Sequence, residues 1–283
     1  MLSSVVTGGT IVATRKSDLQ TDNAADAAVL LRDDHDGVAV LTLNRPQQFN
    51  SLNEALLASL QAQLDQIAHD SSIRVVVIAA NGRAFCAGHD LKEMRTQPEQ
   101  AYYDELFQRC SRFMQTITSM PQPVIARVEG MATAAGCQLV ATCDLAVASD
   151  DSQFAVSGIN LGLFCSTPSV ALSRNIPRKR SFEMLFTGDF IGAEQAQEWG
   201  LINYSVATGQ VDETIDKLCR SICAKPASTV STGKKMFYRQ IEKNIADAYT
   251  YAGQTMACNM MDEDTTEGIS AFLEKRQPDW NPE

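Results

Sequence analysis

The chain is poor in histidine, in aromatic residues and in positive charge. Three histidines, His35, His69 and His89, serve all 283 residues, and aromatics make up 7%. The 24 Lys and Arg stand against 34 Asp and Glu, a formal net charge of −10, and the pI is near 4.8. No basic stripe interrupts that acidity, which argues against a nucleic-acid binder. No run reaches the ~18 consecutive apolar residues that a membrane span needs. Residues 1–26 have neither the apolar core of a secretory signal nor the acid-poor, Arg-rich character of a transit peptide. Residues 1–27 read as a loose N-terminal arm. Common catalytic signatures are missing too: there is no GxSxG elbow, no GxxxxGK[ST] loop and no GxGxxG after a strand.

Eight cysteines are present, with no CxxC pair among them. Their apolar surroundings predict buried free thiols in a reducing compartment, taken as the cytoplasm. Cys219 and Cys223, four apart on a predicted helix, read as packing. The acidic run "DDHD" (33–36) reads as a solvated turn, so no metal site is expected. Charged residues make up only 20%, which suits a chain that buries much of its surface or oligomerises.

From Gly37 the hydrophobic pattern organises itself. "GVAVLTLN" (37–44), "RVVVIAA" (74–80), "PVIARVEG" (123–130) and "CDLAVAS" (143–149) read as strands, the last three as short buried ones. "SLNEALLASLQAQLDQIAHD" (51–70) has apolar residues at helical spacing, with a capping signal from Ser51 to Glu54. A second helix gathers Tyr103, Leu106, Phe107, Cys110, Phe113, Met114 and Ile117 on one face. Strands alternating with helices imply an α/β core over 28–180. Beyond about residue 180 strands nearly vanish, and 181–283 reads as a helical region.

Two segments carry chemistry. In "GRAFCAGHDLKEM" (82–94) a strand runs through a glycine turn to Asp90, where a helix N-cap would sit. In "PVIARVEGMATAAGCQLV" (123–140) a strand meets a small-residue turn and then a helix. Each junction leaves backbone N–H groups free, and helix N-termini favour negative charge. Two such turns face to face would polarise a carbonyl and hold an enolate; each could equally be tight packing.

The chain resembles the crotonase (enoyl-CoA hydratase/isomerase) superfamily from roughly 28 to 282. The likeness is carried by "LTLNRPQQFNSLN", "GRAFCAGHDLKEM", "PVIARVEGMATAAGCQLVATCDLAVAS", "FAVSGINLGLF" and "EGISAFLEKRQPDW". It implies an α/β fold with a ββα spiral core and a C-terminal helical trimerisation region, assembled as a homotrimer or a hexamer. It implies an acyl-CoA substrate, with coenzyme A as part of that substrate and no separate cofactor. The oxyanion donors fall on the N–H groups of His89 and Ala135. Arg45, Gln48 and Asn50, then His89, Asp90, Leu91 and Lys92, then Ala135 and Gly136, match segments that line the CoA and acyl site.

Two departures qualify that resemblance. Where a hydratase of this kind carries its two water-activating glutamates, this chain has Gln138 and Gly158. An amide takes up no proton near neutrality, and glycine has no side chain. His89 is then the leading side chain for acid–base work, because imidazole titrates near neutrality; Cys165 reads as an inert thiol. The reading is an enzyme that forms an enolate from an acyl-CoA by a route other than ordinary hydration, with His89, Ala135 and Gln138 at its centre. A non-catalytic acyl-CoA binding protein is the alternative. A serine peptidase on a related spiral is disfavoured, since no Ser-His-Asp set is placed for it.

Overall fold

A computed structural model describes residues 28–280. The arm expected over 1–27 lies outside the described residues. The chain opens with a hairpin, β1 (Leu30–His35) antiparallel to β2 (Val38–Leu43). Asp36 and Gly37 join them at φ of 48° and 77°, the left-handed pair that a two-residue hairpin turn requires. The "DDHD" run is thus no simple turn, as Asp33, Asp34 and His35 are the exposed end of an edge strand. Helix α1 (Glu54–Ile67) follows, and its cap is Asn53, whose Oδ1 accepts from the Leu56 N–H at 3.0 Å. Ser51 is therefore not the cap: it sits two residues too early to reach the first helical amides.

Three successive units then repeat one pattern, with a strand in each of two sheets and then a helix. The first is β3 (Val75–Ala80), β4 (Ala84–Cys86), a single turn α2 (Leu91–Met94) and the long α3 (Gln100–Ser119). The second is β5 (Val124–Val128), β6 (Met131–Thr133) and α4 (Ala135–Thr142). The third is β7 (Leu145–Ser149), β8 (Gln153–Ala155) and α5 (Ser166–Asn175). The rest is α6 (Arg178–Thr187), β9 (Ile191–Gly192), α7 (Ala193–Trp199), β10 (Tyr204–Val206), α8 (Val211–Cys223), α9 (Ala227–Gln240), α10 (Ile245–Asn259) and α11 (Glu263–Glu274). The large sheet runs β1-β2-β3-β5-β7-β10 and the small one β4-β6-β8-β9.

The apolar strands are continuous because the large sheet is buried on both faces. Val76, Ile78, Val124 and Ala126 join the main core with α1 and α3. Their neighbours Val75, Val77, Ile125 and Val147 meet Val211, Ile215 and Cys219 of α8 on the other side. Six cysteines are buried as expected, but Cys258 is exposed on α10 and Cys223 only half-buried.

One buried ion pair ties the helical tail to the core. Lys234 of α9 donates at 2.7 Å to each of three acceptors, the carbonyls of Ile117 and Gln122 and Oδ2 of Asp144. Asp144 also accepts from the Tyr238 hydroxyl at 2.8 Å and from the Val124 N–H at 2.6 Å. Burial pulls the lysine pKa below its usual range, and Asp144 opposes that fall. Removing one partner of a buried, fully hydrogen-bonded pair leaves the other charge unpaired. Lys234→Met should therefore cost about 3–5 kcal/mol, read as a lower denaturant midpoint in urea unfolding; an unchanged midpoint would show that the pair does not hold the tail.

Candidate functional site

The site is built where the first two repeats touch. Strand β4 leaves through Ala87 and Gly88, and Asp90 caps α2 by accepting from the Lys92 and Glu93 N–H groups at 3.1 and 3.3 Å. Strand β6 leaves through Ala134 directly into α4. The two turns are pressed together. A methyl group on Gly88 would lie 2.9 Å from Ala134 Cβ and 3.2 Å from Ala135 N. On Gly136 it would lie 2.1 Å from the Cys86 carbonyl oxygen. Ala134 takes φ of 49°, a region costly for any residue with a Cβ, and is held there by its N–H donating to Ala155 O at 2.9 Å.

Hydrogen bonding around the turns singles out two donors. The Leu52 N–H donates to Gly88 O at 2.8 Å and the Asp90 N–H to Leu52 O at 3.0 Å, which brackets His89 and leaves its N–H out of the ladder. Ala135 is the first residue of α4, where an amide has no partner within the helix. Among the described residues neither N–H donates to another protein group.

Both residues line a cavity of about 280 Å³. Its walls are mostly apolar: Leu91, Met94, Phe107, Leu161, Leu163 and Phe164. Polar groups come from His89, from Ser157, and from the start of α5 at Cys165, Ser166 and Thr167. No Asp or Glu lines it. The His89 ring stands edge-on to Phe107, with centroids 5.4 Å apart, and its Nε2 is buried without a partner. Burial pushes its pKa down to about 4. The expectation of an imidazole titrating near neutrality is corrected accordingly: His89 is neutral at pH 7, because the charged ring would lose its hydration in an apolar wall.

The other expected residues divide. Leu91 lines the cavity, half exposed, and Lys92 is exposed, as is Gln48. Arg45 is turned inward, its Nη2 on Asp90 Oδ2 at 2.9 Å and its Nη1 on the Ser51 carbonyl. Asn50 is fully buried, and its amide donates to Asn81 O at 2.8 Å and Ala84 O at 2.7 Å. Gly136 is the contact that lets α4 sit on β4. Gln138 lies behind the turn, buried, with Oε1 unpartnered, and is not among the lining residues. Gly158 is in the wall, where a Cβ would come within 2.6 Å of Leu163 O and 2.8 Å of Cys165 Sγ. Cys165 donates to Val156 O at 3.5 Å, and burial raises its pKa, as an inert thiol requires. Sequence reasoning missed Met94, Ser157 and Phe164 as wall residues and took Phe107 only as core. The one signal was the apolar run "LGLF" beside Gly158.

Residues 33–283 match the family model described as enoyl-CoA hydratase/isomerase. The chain is 45% identical over 246 residues to rat enoyl-CoA hydratase domain-containing protein 3, mitochondrial, covering 87% of this chain and 82% of that one. Among solved structures, one titled enoyl-CoA hydratase from Mycobacterium smegmatis superposes with a TM-score of 0.88 at 60% identity, over 89% of this chain and 98% of that one. The human domain-containing protein 3 superposes with a TM-score of 0.87 at 44% identity, over 89% and 100%. The expected spiral fold therefore holds. The cytoplasmic expectation does not, since the rat relative and its human counterpart are mitochondrial by name. Free thiols report a reducing compartment without saying which.

A neutral buried His89 makes stability pH-dependent in a defined window. Its pKa falls from 6.5 to about 4 on folding, so its contribution is whole above pH 6.5 and is lost as pH drops toward 4. Urea midpoints measured from pH 7 to pH 4 should fall less steeply for His89→Gln than for the parent. Parallel curves would mean that the ring is charged or solvated in the native state.

Proposed function

The chain belongs to the enoyl-CoA hydratase/isomerase family, and on that premise we propose that it processes an acyl-CoA thioester bound in the cavity between α2, α4 and α5. The thioester oxygen accepts from the N–H groups of His89 and Ala135, which stabilise it as charge develops on an enolate. Coenzyme A enters as part of the substrate and not as a resident cofactor. The observation that carries this reading is the pair of unpartnered donors on two interlocked turns, at the wall of an apolar cavity. The Gly88 and Gly136 contacts explain why both turns are glycine-bearing.

Ordinary hydration does not suit this site. Gln138 offers no base, and at Gly158 a backbone oxygen and a buried sulfur occupy the space where a longer side chain would begin. A second reading, a thioester-binding protein without turnover, is favoured by the same lack of a lining carboxylate. The tail helices suit assembly. Ile245, Tyr249, Met256, Met261, Phe272 and Leu273 are each more than 70% exposed, far more apolar surface than a lone chain leaves in water, so further copies of the chain cover it, as in a trimer.

Titration calorimetry should show a short acyl-CoA binding more tightly than free CoA, and Ala135→Pro should erase most of that difference by deleting an N–H. Equal affinity for the two ligands would remove the oxyanion reading. Crotonyl-CoA hydration should stay orders of magnitude below the ~10 s⁻¹ of a median enzyme; robust hydration followed by loss of enoyl-thioester absorbance would reveal a base elsewhere.

A further inference from the structure

We propose that the acyl group held in this cavity is uncharged and apolar, about eight carbons long, and that Met94 and Phe107 set its length. The inference rests on the thioester reading above and names the acyl class for the same site.

The walls divide by element. Helix α5 and the turns before it supply every hydroxyl, from Ser157, Ser166 and Thr167, whereas α2 and α3 contribute only Leu91, Met94 and Phe107. Exposure then separates a mouth from a floor. Leu91, Leu161, Leu163 and Phe164 are from 40% to 71% exposed, while Met94 is 8% exposed and Phe107 is half-buried. Helix α3 closes the space behind them. The Tyr103 hydroxyl donates to the Met94 carbonyl at 3.2 Å, and Leu106 and Cys110, beside Phe107 on α3, belong to the main core. The edge of the His89 ring rests on Phe107, with centroids 5.4 Å apart, which keeps Phe107 from swinging aside. Coenzyme A, charged and hydrated, belongs at the exposed mouth. The buried end is left to the acyl chain.

Nothing in the cavity would neutralise a charge on that chain. No Lys or Arg lines it, and Arg45 is committed to Asp90 at 2.9 Å. Burial keeps His89 neutral, and its Nε2 is covered by protein. A second carboxylate on the acyl group would lose its water at the floor and gain no partner. Dicarboxylic acyl groups are therefore disfavoured, and chains with an apolar end remain.

Volume sets the length. An apolar cavity of ~150 Å³ takes up benzene, roughly 25 Å³ for each carbon. At that ratio the cavity of about 280 Å³ holds about eleven heavy atoms, of which the thioester carbon, oxygen and sulfur take three. About eight carbons are left for the chain.

The test is calorimetry on the full chain with saturated acyl-CoAs from acetyl to dodecanoyl. Suberyl-CoA is added, which is octanoyl-CoA with its terminal methyl exchanged for a carboxylate. Kd should fall roughly fourfold per methylene as far as octanoyl-CoA and then level off. Suberyl-CoA should bind at least ~10-fold more weakly than octanoyl-CoA. Met94→Ala and Phe107→Ala each deepen the floor, and each should move the levelling-off point outward by about two carbons. Of the two, Met94→Ala leaves the ring that packs on His89 in place. A break point unmoved in both variants would overturn the assignment of the floor. Suberyl-CoA binding as tightly as octanoyl-CoA would overturn the exclusion of charge. Acetyl-CoA and octanoyl-CoA binding equally, yet both more tightly than free CoA, would remove the apolar acyl group and leave the thioester site standing. If no acyl-CoA binds more tightly than free CoA, both readings fall.

Discussion

Everything at the site depends on the absence of one methyl group. Helix α4 sits so close to strand β4 that a Cβ on Gly136 would overlap the Cys86 carbonyl at 2.1 Å. That approach brings the start of α4 against the turn after β4, so the Ala135 amide and the His89 amide border one space. It also forces Ala134 to positive φ, a conformation the surrounding bonds must impose. Moving α4 outward by one methyl radius would relieve the strain and separate the donors. Fold and chemistry are therefore specified by the same contact, and the strain is local because the ladder from Ala134 to Ala155 and the Leu52 bridge hold both turns in place.

The second constraint is electrostatic. A strongly acidic chain keeps its carboxylates out of this cavity by giving each nearby one a partner: Asp90 has Arg45, which along with the cap bonds outweighs the cost of its partial burial and lowers its pKa. What remains is a neutral, partly apolar chamber in which backbone dipoles are the dominant charges. In such surroundings an N–H donor is worth more than in water. Gly158 belongs to the same design: its wall position is closed off by Leu163 O and Cys165 Sγ, so a carboxylate there is excluded sterically as well as by composition.

Sequence reading succeeded where local chemistry decides and failed where distant segments meet. The runs 74–80, 123–130 and 143–149 were legible as strands because burial on both faces demands continuous apolar residues. Asp90 was legible as a cap because capping involves only the next three residues. Ser51 was misread for Asn53 because both are good caps and only the emerging helix chooses between them. The "DDHD" run was misread because its strand exists only by pairing with Val38, Ala39 and Val40, and a solvent-facing edge strand has no hydrophobic pattern to announce it. The family motif located His89 and Ala135, but not the protonation state of His89. That state comes from the apolar chamber around the ring, including Phe107, which α3 delivers from a separate stretch of sequence.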